Sequence, residues 1–271
     1  MAVTRVLIAV KTYPSISTTY DELVCTAGFL EDGSWIRIYP IQFRNLDYSQ
    51  QYKKYDWIEI DLVKNTKDFR PESYRPVTID VVATNAGHIG TDNHWQERKA
   101  IALKNVYTDL AAMIADARDT TKHVSLAVFK PTKILDFKIE AVDRDWDKDK
   151  LDQMQQLNVF VERKSKREIV KKLPYKFSYV FEDETGNQSK LMIEDWELGA
   201  LFWKYEDEKE ACQKVKEKYF DDFAKTKDLH FFVGTTLSNH HKSKNPFIII
   251  GTFHPTFPKP IKQSAQLQLF N

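Results

Sequence analysis

Two periodicities divide this chain. Short apolar runs and strict two-residue alternation cover most of it, and helical spacing is confined to residues 95–118 and 196–225. The pattern predicts a β-rich α+β protein. Residues 5–11 read as a short, continuous, buried opening strand that ends in a polar turn at Thr12-Tyr13-Pro14-Ser15. Residues 23–30 and 34–40 flank Glu31-Asp32-Gly33, and an Asp-Gly step between two such runs signals a hairpin. In the second run Ile36 and Ile38 leave one face, while Trp35, Arg37 and Tyr39 leave the other. One face can enter a core while the other offers two rings and a guanidinium in a row, a platform for stacked bases and a phosphate. The same pattern also arises where Trp35 and Tyr39 lie beneath another element and Arg37 pairs with a carboxylate.

Further strands are expected at 55–63, 77–83, 124–138 (two, split at Pro131), 175–181, 190–193, 230–234 and 247–252. Residues 43–54 suggest a short helix or ordered loop, and 64–76 a polar connection. Residues 95–118 suggest two helices broken near 105–108. Asp195 is placed to cap a helix over 196–205, and 208–225 form an amphipathic helix around Ala211, Val215, Tyr219 and Phe223.

At 271 residues the chain can bury a sizeable core, and its 42% hydrophobic and 29% charged content describes a soluble globular protein. Charge density rises over residues 143–152 and 162–172, a natural junction. The expected division is a first domain at 1–140, a junction at 141–172, a second domain at 173–257 and a tail at 258–271. Net charge is only +1, so any nucleic-acid surface must be a local patch. Cys25 and Cys212 are far apart and outside any ligand spacing, and they read as reduced thiols. No apolar window approaches membrane-spanning length and no signal peptide is evident, so a cytoplasmic location is expected.

Candidate chemistry is sparse. Lys64, Lys67, Arg70 and Arg75 interleave with Phe69 and Tyr74. Around the Trp35-Arg37-Tyr39 row, the neighbours expected to touch nucleic acid are Lys11, Tyr13, Arg44, Arg70 and Arg75, joined by a basic loop tip carrying His240, His241, Lys242 and Lys244. Adjacent histidines on a strand point apart and no further ligand follows at metal spacing, so no metal and no cofactor are expected. Glu59 and Asp61 followed by Lys64 resemble the acid-and-lysine set of metal-dependent nucleases, and the same spacing suits solvent-facing charge on a strand. No phosphate loop, nucleophile elbow or zinc-protease helix is present.

Taken together, AVKTYP at 9–14, VCTAG at 24–28, WIRIYPIQFR at 35–44, YKKYDWIE at 52–59, RPESY at 70–74, KLMIEDWELGALFW at 190–203 and FFVGT at 231–235 resemble a family of uncharacterised bacterial proteins that carry a dual OB-containing domain. The resemblance implies two small OB-like β-barrels with helical insertions, a fold often used for nucleic acid, though fold alone fixes no function. Three readings follow. The first is a nucleic-acid-binding accessory protein of a bacterial DNA-transaction or phage-defence system, with DNA rather than RNA as partner. The second is a metal-dependent nuclease using Glu59, Asp61 and Lys64, and the third a protein-interaction module.

The stretch Gln266-Leu267-Gln268-Leu269-Phe270 resembles the Q-L-x-L-F peptide by which many bacterial proteins dock on the replicative sliding clamp. Gln266 would offer its amide, and Leu267, Leu269 and Phe270 would anchor in an apolar pocket. Deleting residues 266–271 is expected to abolish binding to a bacterial sliding clamp in surface plasmon resonance. Unchanged affinity, or none in the intact chain, removes the clamp from the account.

Overall fold

The computed structural model describes residues 3–17, 21–41, 43–46, 51–78, 80–149, 151–152 and 169–257. Five strands, β1 (Val3–Lys11), β3 (Asp21–Phe29), β4 (Trp35–Ile41), β5 (Asp56–Lys64) and β6 (Ser73–Pro76), close a barrel in the order β1-β3-β4-β6-β5-β1. Closure runs through β1, which pairs antiparallel with β5 over Val3 to Leu7 and with β3 over Leu7 to Lys11. The β4–β6 pair is parallel. A five-stranded Greek-key barrel of this kind is the OB architecture. The short β2 (Ser15–Ser17) flanks β3, and β7 (Thr84–His88) lies along β5.

The expected β3–β4 hairpin forms. Gly33 turns at φ 84° and Asp32 accepts hydrogen bonds from the Ser34 amide and hydroxyl at 2.8 and 2.6 Å. Where β3 crosses β1, a Cβ at Gly28 would lie 2.1 Å from the Leu7 carbonyl oxygen, so only glycine fits. The strand expected at 77–83 is absent among the described residues; its neighbours Ser73–Pro76 and Thr84–His88 each pair with β5 instead. Pro71 and Pro76 made that region read as a connection, yet Pro76 ends its strand, where a missing amide costs little. Residues 43–54, expected as a helix or loop, hold only a 3-10 turn at Phe43–Asn45 among the described residues.

A second unit follows. The two-residue β8 (Val106–Tyr107) joins β9 (Leu126–Phe129), β13 (His230–Thr235) and β14 (Phe247–Phe253) in one sheet, and β10 (Lys133–Ala141), β11 (Tyr175–Glu182) and β12 (Gln188–Met192) form another. Only Lys130-Pro131-Thr132 separates β9 from β10, so one interrupted strand pairs with β13 at its start and β11 at its end. Ile193 just past β12 bridges in parallel to Ile249 of β14. The order β10-β11-β12-β14-β13-β9 thus repeats the plan of the first barrel. The charged stretch 142–174 joins β10 to β11, which are paired neighbours.

Helices occupy the connections. α1 (Asp92–Ala102) links β7 to β8, α2 (Leu110–Arg118) lies between β8 and β9 and packs into the second core, and α3 (Trp196–Phe202) and α4 (Glu208–Lys216) link β12 to β13, the last continuing as a π-helical segment at Glu217–Ala224. Asp195 caps α3 through the Glu197 amide at 3.1 Å, as the sequence predicts. No helix among the described residues is long and apolar enough to cross a membrane.

Each barrel has its own core, the first around Val6, Ile8, Ile36, Ile38, Ile58 and Ile60, the second around Phe177, Tyr179, Phe181, Phe202, Phe231 and Ile249. A third cluster joins them. Leu7, Ala9, Ala27 and Phe29 on the outer face of the first barrel pack against Leu126, Val128, Phe232, Ile250 and Phe253 of the second. This is why β1 is buried along most of its length, on both faces. Phe232 sits between the barrels, edge-on to Phe29 and Trp35 at 5.9 and 5.5 Å. Phe232→Ala is therefore expected to cost about 3–5 kcal/mol and to lower a single cooperative transition that includes both barrels. Urea denaturation followed by tryptophan fluorescence checks this, and separate transitions for the two units would contradict it.

Candidate functional site

The β4 row fixes where the site is not. Arg37 is only 3% exposed; its guanidinium donates to the Ser125 hydroxyl and carbonyl at 3.0 and 3.1 Å and lies 3.5 Å from Glu72. Trp35 packs on Phe29 with ring centroids 4.1 Å apart. Tyr39 remains 39% exposed. The outward face of β4 is as the alternation predicts, but the second barrel covers it, so the expected open platform does not exist. Arg70 is likewise turned inward, bidentate to Asp68 at 2.6 and 2.8 Å and donating to the Thr235 carbonyl at 2.7 Å. Both arginines hold the barrels together and are closed to a phosphate.

The other expected contacts scatter. Tyr13 bridges the units, donating to the Lys171 carbonyl at 2.7 Å and accepting from the Trp203 indole at 2.8 Å. Arg44 is half-buried and Arg75 exposed. His240 is fully buried, while His241, Lys242 and Lys244 are exposed on their loop. Glu59 is exposed and Asp61 half-buried on β5, and they gather no third carboxylate, histidine or cysteine among the described residues. Lys64 donates to the Pro71 carbonyl and lies over the Tyr74 ring at 4.7 Å. Residues 266–270 fall outside the described residues.

Of the expected set, Lys11 lines a cleft at the seam. A cleft of about 560 Å³ opens at the edge of the inter-barrel seam. The first unit contributes Lys11, Lys53, Lys54, Tyr55, His88 and, from α1, Trp95 and Arg98; the second contributes Trp196, Glu197 and Lys204 of α3 and its following turn, with Thr252 and His254 from and after β14. That volume suits a nucleotide-sized ligand. Trp95 follows Asn93 and His94 in a left-handed turn, φ 48, 55 and 64°, a conformation that costs about 1–2 kcal/mol per non-glycine residue. The turn seats Trp95 against Tyr55, Phe253 and His254, with centroids 5.2–5.9 Å apart.

Charge on the cleft floor is unevenly matched. Lys54 reaches Asp195 at 3.1 Å and Glu197 at 2.9 Å across the seam. Burial works against its proton, but the two carboxylates outweigh burial and hold its pKa well above the usual lysine value. Lys11, only 7% exposed, has no such partner among the described residues: it donates to the Tyr52 carbonyl at 3.1 Å and lies 4.3 Å from the Phe43 ring and 5.6 Å from Trp196. Burial pushes its pKa down to about 8, with Glu197 resisting. Arg98 lies flat on Tyr55 at 3.7 Å and donates twice to the Ile89 carbonyl, again with no carboxylate in salt-bridge reach among the described residues. Burial and the charge on Lys54 hold His254 neutral, its pKa lowered to about 3, with its ring stacked 3.6 Å from Phe223. At the rim Lys53 and Lys204 are exposed, and His88, half-exposed, bonds Asp56 at 2.7 Å.

The cleft thus combines two buried cations with no carboxylate in salt-bridge reach among the described residues, aromatic walls and exposed lysines at its mouth. Sequence reasoning missed Lys53, Lys54, Tyr55, Trp95, Arg98, Trp196 and Lys204. The pair Lys53-Lys54 between Tyr52 and Tyr55 carries the same basic-aromatic signal as the 64–76 stretch.

The chain is thus a two-barrel protein with a basic, aromatic-walled cleft at the seam. It belongs to the family described as Domain of unknown function (DUF8757), matched over residues 107–271, and its first part matches Domain of unknown function (DUF8758) over residues 2–104. No curated protein matches it. The solved structure titled "Structure of murine DNA binding protein bound with ds DNA" aligns over 96% of this chain and 98% of its own, at 10% identity and a TM-score of 0.30, too slight a likeness to carry an argument.

Two stability predictions follow from the floor of the cleft. Lys54→Met strands Asp195 without its counter-charge in the interior and is expected to cost about 3–5 kcal/mol. Lys11→Met is expected to do the reverse. The folded-state pKa of Lys11 lies below its unfolded value, so charged Lys11 penalises folding at pH 7, and the penalty is relieved only as pH rises from about 8 toward the ordinary lysine value. Removing the charge should stabilise the protein by about 1–3 kcal/mol at pH 7, with the rings around the ammonium offsetting part of the gain, and should flatten the pH 8–10 profile. Urea denaturation at pH 7 and 9.5 measures both, and a destabilised Lys11→Met protein would contradict the account.

Proposed function

We propose that the protein binds nucleic acid, DNA in preference to RNA, through the cleft at the barrel seam. The observation that carries this reading is the pair Lys11 and Arg98, buried cations facing a nucleotide-sized cavity and lacking carboxylate partners among the described residues. Charged groups are rarely kept in that condition unless a ligand completes them. A phosphate would meet Lys11 and Arg98, with Lys53 and Lys204 guiding the backbone, and a base would lie against Trp95 or Trp196. The cleft admits a nucleotide turned out of a duplex or a single strand, and it is too confined for a helix. On this reading the division between working units falls near residues 104–107, where the two family matches meet. The C-terminal peptide 266–270 would add recruitment by a sliding clamp, which favours DNA as the partner.

Fluorescence anisotropy with labelled single-stranded DNA, duplex DNA and RNA at low salt tests the proposal. The double variant Lys53→Glu with Lys204→Glu, both at exposed positions, is expected to lose at least about tenfold in affinity and to lower the salt slope by about 1–2. Wild-type affinity should also fall as pH rises through about 8, because anion binding requires the protonated Lys11, and this dependence should vanish in Lys11→Met. No binding of any oligonucleotide at low salt, or equal binding by the charge-reversed variant, would overturn the proposal.

A further inference from the structure

On the far side of the seam, three histidines distant in sequence meet around one ring. His123 follows α2, and His240 and His241 lie in the β13–β14 loop; their nearest ring nitrogens all fall within 4.8 Å of one another. Phe69 from the first barrel touches all three rings, with centroids 4.8–5.3 Å away, and stacks on His241. Two details distinguish this group from a chance cluster. His123 holds a left-handed backbone, φ 46°, and its Nδ1 is buried without a hydrogen-bond partner. A left-handed β-carbon-bearing residue and an orphaned buried nitrogen both cost free energy, and no hydrogen bond satisfies that nitrogen.

The second detail is the orientation of His240. Its Nε2 lies 2.8 Å from the Ala117 carbonyl oxygen, which can only accept, so Nε2 carries the proton and Nδ1 keeps its lone pair. A ring whose second nitrogen is tied to a backbone carbonyl is in the state that metal-ligating histidines adopt. The Nδ1 lone pair now accepts from the Thr235 hydroxyl at 2.8 Å, a rotor that can turn away.

We propose that His123 Nδ1, His240 Nδ1 and one ring nitrogen of His241 bind a divalent first-row transition ion, with zinc as the reference case. Imidazole donors suit zinc, copper and nickel, and three protein ligands leave a fourth position for water. Tetrahedral coordination at zinc–nitrogen distances of about 2.0–2.1 Å brings donor atoms to about 3.4 Å from one another, so separations of up to 4.8 Å must close by as much as about 1.4 Å. His241, exposed on its loop, is the member free to move. The neighbouring Arg70 is answered by Asp68, which limits its repulsion of a cation. This site is separate from the seam cleft, and its failure would leave the nucleic-acid proposal standing.

The test uses the full chain without a polyhistidine tag, stripped by chelator and titrated with cobalt(II) and with zinc(II). One equivalent should bind, with cobalt giving the visible absorption of a low-coordinate site and zinc raising the melting temperature. His123→Gln and His241→Gln, checked by metal-free melting to have kept the fold, should each weaken affinity at least about tenfold. Thr235→Val, which removes the competing hydroxyl, should bind at least as tightly as wild type. Absence of saturable uptake in the wild type, or uptake undiminished in both histidine variants, would overturn the assignment.

Discussion

The structure depends on the burial of one barrel's outer face against the other. Strands β1 and β3 of the first barrel carry apolar side chains on both sides, inward to their own core and outward to β9, β13 and β14, and β4 turns Trp35 and the buried Arg37 toward the same seam. The face of an OB barrel formed by its second and third strands is commonly the ligand face, and here it is consumed by the seam. Most of the charge buried along the seam is then met internally. Arg37 is met by Ser125 and Glu72, Arg70 by Asp68 and the Thr235 carbonyl, and Lys54 by Asp195 and Glu197. Such pairs contribute little net stability compared with apolar packing, and the bonds that cross the seam, Arg37 to Ser125, Arg70 to Thr235 and Lys54 to Asp195 and Glu197, would be lost in any other alignment of the two barrels.

That fixed alignment is what makes a cleft. Trp196 and Glu197 on α3 are held opposite Lys11 and Lys54 because Asp195 does two things at once: it caps the helix and accepts the Lys54 ammonium. Tyr13 is pressed onto α3 so closely that a Cβ at Gly199 would lie 2.1 Å from its ring. With the walls set by the fold, Lys11 and Arg98 are left as charges without acidic partners among the described residues. Their cost is borne by the seam's apolar contacts, and on the reading proposed above an anion would complete them.

Much of this was legible in the sequence, and the part that was not has a clear physical cause. The Asp-Gly hairpin, the buried first strand, the interruption at Pro131 and the Asp195 cap all follow from local rules and stand in the fold. Alternation also sorted Trp35, Arg37 and Tyr39 onto one face. It could not say what covers that face, because the cover comes from Ser125 and Phe232, 88 residues and more away. The cleft was hidden for the same reason: Lys11, Arg98, Trp196 and His254 converge only after both barrels have docked. His123 meets His240 and His241 across more than a hundred residues, so spacing rules see only the adjacent pair.

Lys11 is buried without an acidic partner among the described residues, a state that is open to direct measurement. Isotope-edited NMR of the Lys11 ε-carbon, followed through a pH titration with and without a saturating oligonucleotide, reads that state at the atom concerned. The account predicts an inflection near 8 in the free protein, moving upward by at least about one unit when the oligonucleotide binds. An inflection at the ordinary lysine value, or one that the oligonucleotide leaves in place, would contradict it.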